Sequence, residues 1–149
     1  MFSKSTADPL FSPGQPAILG FDPGRHKCGL AVLGLGRTLY CHEVVLATEV
    51  VDNVQVLRQQ FPISLMVMGD QTMAQTWKQR LIDELPDPLR IVLVDERYSS
   101  LEARDRYWKM YPPKGLFRLI PQGMRSLPRP VDDIVAILLI ERYLERLVS

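Results

Sequence analysis

Residues 17–45, AILGFDPGRHKCGLAVLGLGRTLYCHEVV, contain three short apolar runs divided by turn signals. Ala17–Phe21 stops at Asp22-Pro23-Gly24, where Pro and Gly both favour a turn. Gly29–Leu33 (GLAVL) is the second run, and Gly34-Leu35-Gly36 leads into the third, Thr38–Val45. Links this short suit antiparallel pairing, because parallel strands need a crossover of a dozen or more residues. The stretch therefore predicts an antiparallel meander at one side of a sheet.

Downstream the period changes. Val50, Val51, Val54 and Leu57 are spaced for one face of a helix over Glu49–Gln60, with Pro62 beyond its end. Leu65–Gly69 (LMVMG) reads as a buried strand, Thr72–Leu85 as a helix and Ile91–Val94 (IVLV) as another buried strand. Ser99 and Glu102, three apart, match a capping box opening a helix that runs to about Met110. Pro112–Pro130 is a loop, long enough to suggest a functional role. A last helix spans about Val131–Leu147, and its IVAILLI run is apolar on most sides, which predicts deep packing. The order βββ-α-β-α-β-α-loop-α implies a mixed α/β sheet of five strands, flanked by helices and parallel in its second half.

The remainder bounds the class. The chain has 149 residues, 46% of them hydrophobic and 23% charged, with a formal net charge of +1. This is the composition of a soluble globule, and the length suits one domain. Residues 1–16, MFSKSTADPLFSPGQP, carry three prolines and no apolar signal core, so they read as a flexible leader before a single domain at 17–149. The longest apolar run, Ile134–Ile140, is far below the roughly 20 residues of a membrane-spanning helix. Cys28 and Cys41 cannot by themselves build a disulfide framework or a four-ligand zinc site, and free thiols suggest the cytoplasm.

Charge is unevenly spread. Residues 1–77 hold five Lys/Arg and six Asp/Glu, whereas 104–129 holds seven basic residues against the single acid Asp105. That second stretch also carries Tyr107, Trp108, Tyr111 and Phe117. Cations interleaved with aromatic rings suit a polyanion with stackable bases, although a solvated helix face and loop would look the same.

In sheets of this kind, ligands bind outside the carboxyl ends of the strands. Asp22 follows the first strand, Asp70 the fourth and Asp95-Glu96 the fifth, while Asp132-Asp133 open the last helix. Such acids could converge on one cleft and hold Mg²⁺, a hard cation that prefers oxygen ligands. Each also has a plainer role: a turn residue at Asp22, an ion pair with Arg97 at Glu96, a helix cap at Asp132 or Asp133. His26 suits a solvent-facing turn, the two thiols suit the core, and Trp77 suits core packing.

Three blocks together resemble the YqgF/RuvX family. Asp22-Pro-Gly-Arg-His-Lys-Cys-Gly-Leu-Ala-Val is similar to its opening Asp-x-Gly turn and Gly-x-Ala-Val strand. Val94-Asp-Glu-Arg-Tyr-Ser-Ser-Leu-Glu-Ala103 is similar to its second block. Val131-Asp132, the apolar helix and Glu141-Arg-Tyr-Leu144 look like its closing block. The resemblance implies a ribonuclease H-like fold and a nuclease. It implies Asp22, Glu96 and Asp132 as catalytic, metal-holding acids for Mg²⁺ or Mn²⁺, with Asp133, Asp70 and Asp95 as open candidates beside them. Implied substrates are the precursor of 16S ribosomal RNA, met on ribosomal particles, or four-way DNA junctions.

Arg25, Lys27, Arg97, Arg104, Lys109, Lys114, Arg118 and Arg125 are the candidate phosphate contacts. The chain departs from the family at Gly69-Asp70-Gln71-Thr72, where a Gly-Leu-Pro-like turn is usual, and at Arg25, where a small hydroxyl residue is usual. The alternatives are a non-catalytic nucleic-acid-binding assembly module and, far less compatible with one short domain, an actin-like ATPase. No membrane partner is expected, and the oligomeric state is open between monomer and homodimer.

Overall fold

The computed structural model describes residues 3–4 and 15–148. The antiparallel meander is built from β2 (Ala17–Asp22), β3 (Lys27–Gly34) and β4 (Leu39–Leu46), after a two-residue β1 at Ser3–Lys4. A 3-10 turn at Ala47–Glu49 leads into α1 (Val50–Gln60), followed by β5 (Ile63–Gly69), α2 (Ala74–Glu84) and β6 (Ile91–Val94). Next come α3 (Ser99–Met110) and a long loop with 3-10 turns at Gly115–Leu119 and Gln122–Met124. The chain closes with α4 (Asp132–Val148).

The sheet order is β1-β4-β3-β2-β5-β6. β2, β3 and β4 pair antiparallel, while β5 runs parallel to β2 and β6 parallel to β5. The five expected strands are present, and β1 adds an edge strand against β4, with Ser3 opposite His42 and Lys4 opposite Cys41. Apart from residues 3, 4, 15 and 16, the expected flexible leader at 1–16 lies outside the described residues.

Strand side chains alternate between the two faces of the sheet. Leu19 and Phe21 join the core under α1 and α2, with Val54, Leu57, Trp77 and Leu81. Ile18 joins the opposite core under α3 and α4, with Ala103, Ile134 and Leu139. Every residue from Asp133 to Ile140 is buried, as the apolar run predicts. α4 approaches the sheet closely because Gly20 has no side chain: a Cβ there would overlap the Ala136 carbonyl and Ile140.

The β3–β4 hairpin has a left-handed residue at Arg37 (φ 69°). One local expectation changes. α3 has no capping box. Tyr98 precedes it in the left-handed region (φ 61°) without a side-chain cap, and Ser99 is already helical and buried. Glu102 pairs instead with Arg142 of α4 at 3.1 Å. Cys28 and Cys41 are buried thiols on adjacent strands, out of register with each other: Cys28 faces Val45, and Cys41 faces Val32. Among the described residues, no helix is long and apolar enough to cross a membrane.

Candidate active site

Because β2, β5 and β6 run parallel, their carboxyl ends share one edge of the sheet. Asp22 is the last residue of β2, and Glu96 lies two residues beyond β6. Asp132 is the first residue of α4. Asp22 and Glu96 are both buried. Asp22 is within hydrogen-bonding reach of the carboxyls of both Asp132 and Glu96.

Two glycines make this convergence possible. Asp22 stands opposite Gly29 in the β2–β3 register. A Cβ on Gly29 would overlap the Asp132 backbone carbonyl, so the first turn of α4 rests on the bare backbone beside Asp22. Gly69, the last residue of β5, plays the matching part on the other side: a Cβ there would overlap the Glu96 carboxyl. Glu96 thus reaches across β5 toward β2. Sequence reading missed both glycines as site residues, and the only signal was a glycine at each critical strand position.

The turn after Asp22 is fixed from outside the sheet. Trp77 of α2 donates its indole Nε1–H to the Gly24 carbonyl at 2.9 Å, and its ring meets Phe21 edge-on with centroids 5.2 Å apart. The Gly24 amide faces Cys28 Sγ at 3.3 Å, and burial pushes the Cys28 thiol up to about 11, so it stays protonated. Trp77 is core, as expected, and it also sets the Asp22 turn. On the far side, Arg142 of α4 donates to the Asp95 carbonyl at 2.7 Å and steadies the segment that carries Glu96.

Electrostatics mark the cluster as short of positive charge. Burial, reinforced by the neighbouring Glu96 and Asp132 carboxylates, pushes Asp22 up to about 9. Glu96 is also raised, chiefly by burial and also by Asp70, against the opposing hydrogen bonds with Asp22 and the Gln71 backbone. Its Oε2 is buried without a partner. Among the described residues, no group of three His, Cys, Asp or Glu side chains already stands in metal-holding array. Three oxygen-donor carboxyls, one oxygen orphaned and one proton retained against its nature, nevertheless suit a hard divalent cation by donor chemistry.

The other candidate acids lie apart from this cluster or beside it. Asp133 is buried and turned to His42 and Arg129, at 2.6 Å and 3.0 Å. Asp95 is exposed and takes hydrogen bonds from the backbone and side chain of Arg97, which lower its pKa. Asp70 is exposed and accepts from the Glu96 amide at 3.4 Å, so it borders the site.

The candidate basic residues divide similarly. Arg25 is exposed on the turn after Asp22 and Lys27 at the start of β3, and Lys109, Lys114 and Arg118 are exposed around the long loop. Arg97 is exposed but paired with Asp95. Arg104 is directed inward, its Nη2 donating to the Gly123 and Arg125 carbonyls at 3.3 and 2.6 Å. Arg125 donates to the Ile120 carbonyl at 2.9 Å and covers the Trp108 ring. Arg104 and Arg125 therefore hold the loop together.

No protein-family model and no curated protein matches the chain. Solved structures do. RuvC of Thermus thermophilus in complex with a Holliday junction substrate aligns with TM-score 0.55 at 17% identity, over 91% of this chain and 97% of that one. A second Thermus thermophilus RuvC structure gives 0.53 at 16%, over 89% and 96%. The large terminase nuclease from thermophilic phage G20c gives 0.50 at 16%, over 87% and 82%. The fold is accordingly the ribonuclease H-like α/β fold of RuvC, with its mixed sheet flanked by helices.

Proposed function

We propose that this chain is a metal-dependent endonuclease that cuts structured nucleic acid. One observation carries the reading: the buried Asp22 carboxyl lies within hydrogen-bonding reach of both Glu96 and Asp132, and burial together with these two acidic neighbours pushes it up to about 9. Asp22, Glu96 and Asp132 would hold Mg²⁺ or Mn²⁺. When bound, such an ion supplies the charge that keeps the three acids ionised and the Lewis acidity that phosphodiester hydrolysis requires.

The chain's own residues supply position. Arg25 and Lys27, exposed beside Asp22, meet phosphates of the cut strand and set its orientation without reading its sequence. Lys109, Lys114 and Arg118 extend that contact toward the long loop. The bare backbone at Gly29 and Gly69 lets the first turn of α4 and the Glu96 carboxyl pass close beside Asp22, so that the three acids can act on one phosphate.

For the substrate, the resemblance of the three sequence blocks favours the 5′ end of pre-16S ribosomal RNA, processed in the cytoplasm on ribosomal particles. A second reading, a four-way DNA junction, draws support from the RuvC likeness, since that structure holds a Holliday junction substrate. Paired cuts at a junction need two sites related by symmetry, so a homodimer favours DNA and a monomer favours RNA.

The test is cleavage by wild type and Asp22→Asn with Mg²⁺ or Mn²⁺. Labelled pre-16S ends, mature RNA and a four-way junction are run side by side, with light scattering to fix the oligomeric state. Cutting of one substrate class by wild type alone is expected. Undiminished cutting by Asp22→Asn would remove the site, and tight binding without any cutting would move the reading to a non-catalytic assembly module.

A further inference from the structure

Where α3 ends, its aromatic side chains meet the long loop around an open cavity of about 370 Å³. Tyr107, Trp108, Tyr111 and Phe117 line it, together with three prolines and Lys114. The rings form a continuous set: Tyr107–Trp108 and Tyr107–Tyr111 centroids are both 5.0 Å apart, and Trp108–Phe117 is 5.6 Å. Tyr107 and Trp108 are buried, whereas Tyr111 and Phe117 present ring surface to solvent, 42% and 37% exposed.

Burying an aromatic wall against a loop is ordinary; leaving its outer rings exposed in an open cavity points to a ligand. The charge around it narrows the class. Residues 112–130 contain four cations and no acid, and no carboxylate lines the cavity. Trp108, one of the lining residues, carries a buried indole N–H without a partner. Tyr111 also borders the neighbouring cavity of about 280 Å³ bounded by His42, Arg129 and Asp133. That residue therefore links the aromatic wall to the start of α4, where Asp132 lies.

We propose that this cavity receives an unpaired nucleobase of the bound strand, stacked against Phe117 and Tyr111, with its flanking phosphate on Lys114. A flat ring needs aromatic faces, and its phosphate needs a cation without competing acids; both are present at one place. A proline-rich peptide would also suit aromatic rings, but it brings no negative charge to the loop. The inference rests on the nucleic-acid reading above and deepens it, since it identifies unpaired bases as a feature the chain recognises.

The test uses binding, not cutting. Full-length protein in EDTA is titrated with short oligonucleotides carrying 2-aminopurine at one unpaired position, and with the same strands made abasic there. Wild type is expected to quench the 2-aminopurine and to bind the abasic strand more weakly. Phe117→Ala should abolish the quench and weaken binding roughly 5–150-fold, the equivalent of about 1–3 kcal/mol for one stacked base. Phe117→Trp should restore it, and Lys114→Ala should reduce the salt slope by about one. Phe117 is half-exposed, and matching thermal melts confirm that its variants fold.

Tight binding with no quench, indifferent to Phe117→Ala and to the abasic site, would overturn the base cavity and leave the nuclease reading intact. Failure of wild type to bind RNA or junction DNA at all would overturn both. Saturable binding of a proline-rich peptide, with no effect of oligonucleotides on it, would reassign the cavity to a protein partner.

Discussion

His42 Nδ1 on β4 lies 2.6 Å from Asp133 Oδ2 at the start of α4, and the other carboxylate oxygen accepts from Arg129 Nη1 at 3.0 Å. Two adjacent acids are thereby given opposite tasks. Asp133 is held inward, where burial would raise its pKa but the hydrogen bonds from His42 and Arg129 win and lower it. Asp132 is left to face Asp22. Since α4 has a fixed rotation once Asp133 is anchored, the His42–Asp133 pair also sets the direction of Asp132.

Removing that anchor should act on stability first. Asp133→Ala leaves the half-buried His42 and Arg129 without their partner, which should cost about 1–3 kcal/mol. Because the folded pKa lies below 3.8, the stability Asp133 contributes is complete above about pH 4 and is lost as the pH falls below that value. Urea melts of Asp133→Ala and Asp132→Ala at pH 7 check the distinction. A large loss is expected only for Asp133→Ala, and equal losses would refute the division of labour.

Asp22 carries the reverse pH dependence. Its folded pKa, about 9, is above the ordinary 3.8, so between these values the folded state holds a proton the unfolded chain has released. Stability of the metal-free protein therefore falls as pH rises from about 4 to about 9 and then levels. Asp22→Asn should flatten that slope and melt above wild type at pH 8 in EDTA, with each kcal/mol worth about 2–4 °C. Added Mg²⁺ or Mn²⁺ should raise the wild-type melting temperature most at high pH and leave Asp22→Asn unmoved. Thermal scans across pH, with and without metal, read all three effects.

Much of this architecture could be read from local signals. Short apolar runs bounded by turn signals predicted β2 to β6, helical spacing predicted α1, the apolar IVAILLI run predicted a deeply packed α4, and strand-end acids pointed to Asp22 and Glu96. What could not be read depends on partners remote in sequence. Asp132 and Asp133 are equally good first-turn acids until His42, 91 residues from Asp133, takes one of them. Ser99 and Glu102 satisfy the capping pattern, yet Arg142 draws Glu102 away. Arg104 adds to a basic stretch whichever way it points, and only the loop carbonyls turn it inward. Gly29 and Gly69 matter through what passes over them, which no strand pattern records.

The glycines give a paired prediction. At Gly69 a new Cβ meets the end of the Glu96 side chain, which can rotate away, so Gly69→Ala should fold and lose metal affinity about 10–100-fold. At Gly29 the Cβ meets the Asp132 backbone, which cannot yield without moving α4. Gly29→Ala should therefore lose about 1–3 kcal/mol of stability as well as metal binding. Calorimetric metal titration beside denaturant unfolding separates the two, and a fully active Gly69→Ala would contradict the assigned path of Glu96.

Trp77 tests whether the Asp22 turn is held from α2. Trp77→Phe keeps an aromatic ring against Phe21 but removes the 2.9 Å donation to the Gly24 carbonyl. The lost hydrogen bond should cost about 0.5–1.5 kcal/mol, with a further contribution from the smaller ring. A purely structural Trp77 would lower stability alone, leaving metal affinity at its wild-type value in the folded protein. An anchoring Trp77 also releases the turn between Asp22 and Cys28, so metal affinity should fall with it. Leu81→Ala, which opens the same core without touching Gly24, is the control: it should destabilise at least as much and leave metal affinity unchanged. If both variants weaken metal binding in proportion to their lost stability, the indole bond has no role of its own in setting Asp22.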